Sequence, residues 1–186
     1  MSEIVFLLEE ESARVMLDGL LPRILPEGMT YICIPFEGKQ DLERQLVRRL
    51  RGYRVPGAKF VVLRDQDAED CKVVKRRLVA KCSESGKSGV LVRIACRELE
   101  SWYLADLEAV EKGMGITGQR LVKRQNELKF VSPDNYVSPL GTLKQIVPSY
   151  QKVGGSRAIG PYLDLNNTRS LSFSSFIKGI RKLCVG

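Results

Sequence analysis

Asp65 and Asp67, separated only by Gln66, end the apolar run Phe60-Val61-Val62-Leu63-Arg64. Two carboxylates at a strand end are the hard oxygen donors magnesium takes, usually one or two from protein, with water and substrate phosphate completing the set. An aspartate there can equally cap the next helix. A second apolar run, Ile4-Val5-Phe6-Leu7-Leu8, ends in Glu9, Glu10 and Glu11. As parallel strands of one open α/β sheet, the two runs would bring their acids to the carboxyl edge, where ligands bind. Residues two apart on a strand share a face, so Asp65 and Asp67 can converge as the chain leaves the sheet.

Composition narrows the chemistry. The chain has no histidine, which excludes Ser-His-Asp and Cys-His nucleophilic machinery and every His-ligated metal centre. Carboxylates, lysines, arginines, hydroxyls and metal-activated water remain. The five cysteines, Cys33, Cys71, Cys82, Cys96 and Cys184, are scattered and never in Cys-x-x-Cys spacing. That argues against a disulfide framework and a structural zinc site, and reduced, mostly buried thiols are expected.

Thirty Lys plus Arg against twenty-two Asp plus Glu give a net charge of +8, a bias toward polyanions that does not choose between nucleic acid and an acidic partner. Arg44, Arg48, Arg49, Arg51 and Arg54 cluster, as do Lys72, Lys75, Arg76, Arg77 and Lys81; each cluster reads as a phosphate-gripping surface or as a solvated helix face. No apolar run approaches the roughly 20 residues of a membrane helix, and the start Met-Ser-Glu-Ile-Val lacks a signal peptide's basic opening. No membrane contact and a cytoplasmic location are expected.

The elements that must position these acids follow from periodicity. Ile4 to Leu8, Tyr31 to Phe36, Phe60 to Leu63 and Val90 to Ala95 read as buried strands. Helices are expected between them at Glu11 to Leu21, Lys39 to Leu50 and Ala68 to Cys82. The alternation predicts an α/β fold with a largely parallel sheet of about four strands flanked by helices. Beyond Ala95 the pattern turns helical. One helix carries Glu98, Glu100, Trp102, Tyr103 and Asp106, and others cover Leu107 to Met114, Gly118 to Glu127, Gly141 to Val147 and Ser172 to Leu183. The expected division is an α/β domain over 1–106 and a mostly helical C-terminal subdomain over 107–186 packed on it.

A glutamate ending the first strand and an Asp-x-Asp ending a later one resemble the Toprim fold of topoisomerases, primases and the overcoming-lysogenisation-defect nucleases. The resemblance implies Glu9 as general acid or base and Asp65 and Asp67 as magnesium or manganese ligands. Where that family usually has glycine after the glutamate, this chain has Glu10.

A closer likeness spans nearly the whole chain through Phe36-Glu37-Gly38-Lys39, Leu63-Arg64-Asp65-Gln66-Asp67, Arg97-Glu98-Leu99-Glu100-Ser101-Trp102-Tyr103-Leu104, Lys152-Val153-Gly154-Gly155-Ser156-Arg157-Ala158-Ile159 and Ser172-Phe173. These segments resemble the bacterial family called domain of unknown function 4276. That likeness implies a Toprim-like fold and a neighbouring ATPase partner in loci read as phage defence.

Within this pattern Glu100 is a further candidate metal ligand, with Glu98 the alternative, and Glu9 can join the set. Trp102 and Tyr103 read as core or as base-stacking groups. Lys39 could touch a substrate phosphate or pair with Glu37. Gly154-Gly155-Ser156-Arg157 offers backbone N–H groups and a guanidinium to phosphate, or is a glycine turn that starts a helix, with Arg157 pairing an acid of the cleft. Arg169 is a candidate of the same kind.

Three functions compete. The first is a magnesium-dependent phosphoryl-transfer enzyme, most concretely a nuclease on DNA or RNA. The second is a non-catalytic sensor or effector-binding subunit working through an ATPase, which the missing glycine favours. The third is a phosphoacceptor receiver domain, against which Ala95-Cys96 lacks the hydroxyl such a switch needs.

Overall fold

The computed structural model describes residues 3–118, 120–127 and 130–185. Strands β1 (Glu3–Leu8), β2 (Thr30–Pro35), β3 (Lys59–Asp65) and β4 (Leu91–Ala95) form one sheet in the order β2-β1-β3-β4. Every pairing is parallel, with Leu8 opposite Pro35 and Leu63, and Asp65 opposite Ala95. β1 and β3 lie in the middle and are covered on both faces, which is why they read as unbroken apolar runs.

Alternate residues of these strands enter two different cores. Val5, Leu7, Phe60, Val62, Val92 and Ile94 pack under α2 (Lys39–Gly52) and α3 (Cys71–Glu84). Leu42, Leu46 and Leu50, four apart, form the apolar stripe of α2, each burial contributing roughly 1.5–3 kcal/mol. Ile4, Phe6, Leu8, Val61 and Leu63 face the other way, against α1 (Glu11–Leu20).

That second face also receives the helices after β4. They are α4 (Glu100–Leu104), α5 (Leu107–Gly113), α6 (Pro139–Ile146), α7 (Lys152–Ile159) and α8 (Leu171–Val185). One apolar cluster holds Ile4 and Phe6 together with Trp102, Phe173 and Ile180. Trp102 belongs to this core, with its ring 5.1 Å from those of Phe173 and Phe176 and its indole N–H donated to Ser172 Oγ at 2.8 Å. Among the described residues no helix is long and apolar enough to cross a membrane.

Three elements differ from expectation. α3 begins at Cys71 rather than Ala68, because Asp70 takes the N-cap and accepts the Val73 N–H at 2.9 Å. Within Gly118 to Glu127 the described residues form only a short 3₁₀ turn, Val122–Arg124, and Gln119 lies outside them. There the Gln125 side chain leaves the local backbone to bond Leu107 N–H and Leu104 O. Gly154 and Gly155 lie inside the first turns of α7 rather than in a turn ahead of it. A Cβ at Gly155 would run into the Tyr150 ring, so the glycine serves close packing.

The chain leaves β1 toward β2 on one side, while β3 feeds β4 on the other. The carboxyl ends of β1 and β3 therefore flank the topological switch point, the crevice where open α/β sheets bind ligands.

Candidate active site

Glu9 follows β1 directly. Its N–H still bonds Leu63 O at 3.2 Å, and its Oε2 accepts the Asp65 N–H at 3.0 Å. Burial pushes the Glu9 carboxyl up to about 7; the Asp65 N–H and Arg64 oppose this, while the charges of Asp67 and Glu10 add to it. Asp65 points to the α7 side of the sheet. Its carboxylate accepts no hydrogen bond from any described residue, and it is held well above the usual range by the enclosing protein and then by the charges of Glu9 and Glu100.

Glu100, at the start of α4, is completely buried. Its Oε1 accepts the Tyr150 hydroxyl at 3.0 Å, while Oε2 has no hydrogen-bond partner. Burial raises this carboxyl too, against the opposing charge of Lys152. Beneath it Tyr103 donates to Ser156 Oγ at 2.8 Å, and Tyr150 stands 3.4 Å from the same oxygen. Glu98, the alternative, is occupied elsewhere, capping α6 through the Leu140 N–H at 2.7 Å.

Lys152, the first residue of α7, completes the cluster by donating to Glu10 Oε1 at 2.6 Å. Burial works against its charge, but the Glu10 bond and the charges of Glu100 and Asp65 outweigh it and raise the ammonium's pKa. Glu10 itself has φ −152 and ψ 171, extended backbone open to any residue. The glycine expected at this position is thus not required by the backbone of this chain, and its place is taken by the acid that holds Lys152.

Asp67 departs from Asp65. Its φ of +57 ends the strand alternation, and its Oδ2 accepts Lys39 Nζ at 2.8 Å on the α2 side. Lys39 thus pairs with Asp67 rather than Glu37, and the hydrogen bond raises its pKa. The Asp67 N–H bonds Arg97 O at 2.7 Å, and Arg97 itself has φ +61. A bulky side chain in that region costs roughly 1–2 kcal/mol, strain of the kind that concentrates at functional turns.

The remaining candidates lie apart. Arg157 is exposed on α7, where its charge helps hold Glu11 low after the Arg14 hydrogen bond. Arg169 is exposed in the loop before α8, its N–H on Asn167 Oδ1. Sequence reasoning missed Arg64, which is fully buried and bonds Glu43 at 2.8 Å and Glu69 at 2.5 Å, with its Nε 3.8 Å from Glu9. Arg77 closes that lattice from α3. Lys152 and Tyr150 were missed as well, although Lys152 opens a segment the family likeness covers. A charged residue inside an apolar run was the available signal for Arg64.

Whether these residues suit a divalent cation can be judged from two observations. The donors are hard oxygens whose mutual repulsion an ion would relieve, and Glu100 Oε2 is a buried acceptor without a donor. Against closure, no group of three or more acidic or thiol side chains among the described residues is already arranged to hold an ion. The donor chemistry suits a divalent cation, and Asp65 and Glu100, with Asp67 released from Lys39, are the residues that would hold it, beside Glu9.

The whole chain resembles two solved structures. The C-terminal region of the Burkholderia pseudomallei OLD protein matches with a TM-score of 0.55 at 13% identity, over 98% of each chain. The C-terminal region of the Xanthomonas campestris pv. campestris OLD protein matches with a TM-score of 0.53 at 15% identity, over 98% of this chain and 95% of that one. Identities this low speak for the fold, which is Toprim-like. No curated protein gives a match. The family model described as Domain of unknown function (DUF4276) matches residues 8–181, and the chain belongs to that family.

Proposed function

We propose that this chain is a divalent-cation-dependent phosphoryl-transfer enzyme of Toprim type, a nuclease acting on the phosphodiesters of DNA or RNA. One observation carries the reading. Three carboxylates, Glu9, Asp65 and Glu100, and one ammonium, Lys152, are enclosed at the switch point of a Toprim-like sheet, where burial raises the pKa of each carboxyl and neighbouring acids add to the rise at Glu9 and Asp65.

Asp65 and Glu100, joined by Asp67, would hold magnesium or manganese, which when bound neutralises charge on the phosphoryl oxygens. Glu9, poised at about 7, takes or returns a proton at its Oε atoms near neutral pH, where general acid–base catalysis is most efficient. Tyr150 fixes the Glu100 carboxyl. Lys152 keeps a fixed positive charge beside the acids, and Lys39, once parted from Asp67, can meet a phosphate oxygen. An ATPase is the partner that the family likeness implies.

The test is cleavage of circular DNA and of RNA by the purified chain with magnesium or manganese. Glu9→Gln should slow cleavage by about 10²–10⁴-fold, and Asp65→Asn should abolish it. Equal cleavage by both variants and the native protein would refute the assignment.

A further inference from the structure

Beside the Gln66 turn lies a second cleft whose charge is out of balance. It encloses about 590 Å³ between the first turns of α3 and α8 and the end of β4. Lys75, Arg93 and Arg97 line it, against one acid, Asp134. Asp134 is already fully engaged. Its Oδ1 accepts the Ser170 and Ser172 hydroxyls at 2.6 and 3.2 Å, and its Oδ2 the Ser172 N–H at 2.8 Å.

None of the three cations is in an ion pair among the described residues. Arg97 donates Nη1 to Asp67 O at 3.3 Å, and Arg93 donates Nε to Ser175 O at 3.1 Å and Nη1 to Val92 O at 3.0 Å. Arg77, also on α3, is by contrast clamped by Glu43 and Glu69. Burial alone lowers the pKa of the Arg93 guanidinium, with no acid compensating.

The position of Arg93 is built into α8. A Cβ at Gly179 would stand 2.7 Å from Arg93 Nη2 and 3.0 Å from Nε. A glycine inside a helix costs about 1 kcal/mol relative to alanine; here the missing side chain is the seat of the guanidinium. Nη2 is left free to donate, and an arginine so held suits two-point contact with phosphate.

We propose that this cleft binds backbone phosphates of a nucleic-acid strand, adjacent to the phosphate presented to Glu9 and Asp65, an inference that rests on the nuclease reading. Gln66 joins the two sites, since it belongs to the Asp65–Asp67 turn and also lines the cleft, its Oε1 accepting the Arg97 N–H at 3.1 Å. No aromatic ring lines the cleft to stack a base, so it reads phosphate rather than sequence. The exposed Lys72 and Arg76, neither in an ion pair among the described residues, continue the track along α3.

Fluorescence anisotropy of labelled single-stranded and duplex DNA and of RNA oligonucleotides, in EDTA and over a salt series, tests this without cleavage. Lys75→Gln and Arg93→Gln should each flatten the slope of log K against log salt by about 1. Lys178→Gln, exposed on α8 outside the cleft, should leave it unchanged. Lys75 makes no hydrogen bond among the described residues, so its variant remains informative if Arg93→Gln fails to fold. No binding by the native chain, unchanged slopes in the cleft variants or an equal loss with Lys178→Gln overturns the proposal. A nucleoside monophosphate bound as tightly as the oligonucleotides also overturns it. Flattened slopes in a chain that never cleaves would instead leave the cleft standing and remove the nuclease reading.

Discussion

Replacing Glu9 by glutamine should abolish a pH dependence of stability that the buried carboxyl imposes. Burial moves this group from 4.5 to about 7, and a change of that size corresponds to roughly 3 kcal/mol. Its side chain is only 14% exposed, so solvent screening removes little of it. The folded state binds the proton more tightly than the unfolded one. The contribution is therefore complete below about pH 4.5, drains away as pH rises and is lost above about pH 7.

At 2–4 °C per kcal/mol for a chain of this size, the native melting temperature should fall by roughly 6–12 °C between about pH 5 and about pH 8 on this account alone. Glutamine can still accept the Asp65 N–H but carries no charge. The variant should therefore melt above the native protein at the alkaline end and show a shallower slope, the remainder belonging to Asp65 and Glu100, which share the sign. Circular-dichroism melts in EDTA across that range measure it. Parallel curves for the two proteins would refute the reasoning.

Tyr150→Phe removes the hydroxyl that donates to Glu100 Oε1, so urea melts should show a loss of about 1–3 kcal/mol and manganese affinity near neutral pH should fall as the carboxyl holds its proton harder. Arg64→Met leaves Glu43 and Glu69 with Arg77 alone and should cost about 3–5 kcal/mol in the same assay. Because Arg64 opposes the upward shift of Glu9, the same variant should move the pH–rate profile to higher pH. Lys39→Ala breaks a half-exposed pair and should change stability by no more than about 1 kcal/mol while slowing cleavage, which a melt and a rate measurement on one preparation separate.

The sheet was legible because β1 and β3, buried on both faces, have no polar face to blur the apolar runs, and their acids fall where those runs stop. Glu100 was legible from its position after the fourth strand. Lys152 and Tyr150 were not, because the Lys152 bond to Glu10 spans 142 residues and the Tyr150 bond to Glu100 spans 50, and periodicity carries no information at that range. Strand alternation put Asp67 beside Asp65; a left-handed turn at a non-glycine residue, fixed by Arg97 from another segment, sends it to Lys39 instead. Gly155 read as a phosphate-facing or helix-opening glycine, whereas the Tyr150 ring gives it a packing role inside α7.

The most direct test of the cation-dependent site is calorimetric titration of the full chain with manganese near pH 6.5, in buffers of different ionisation heat. Saturable binding should release protons in the native protein, weaken and release fewer in Glu9→Gln, and disappear in Asp65→Asn. Absence of saturable binding in the native chain, or unaltered binding in Asp65→Asn, would contradict it.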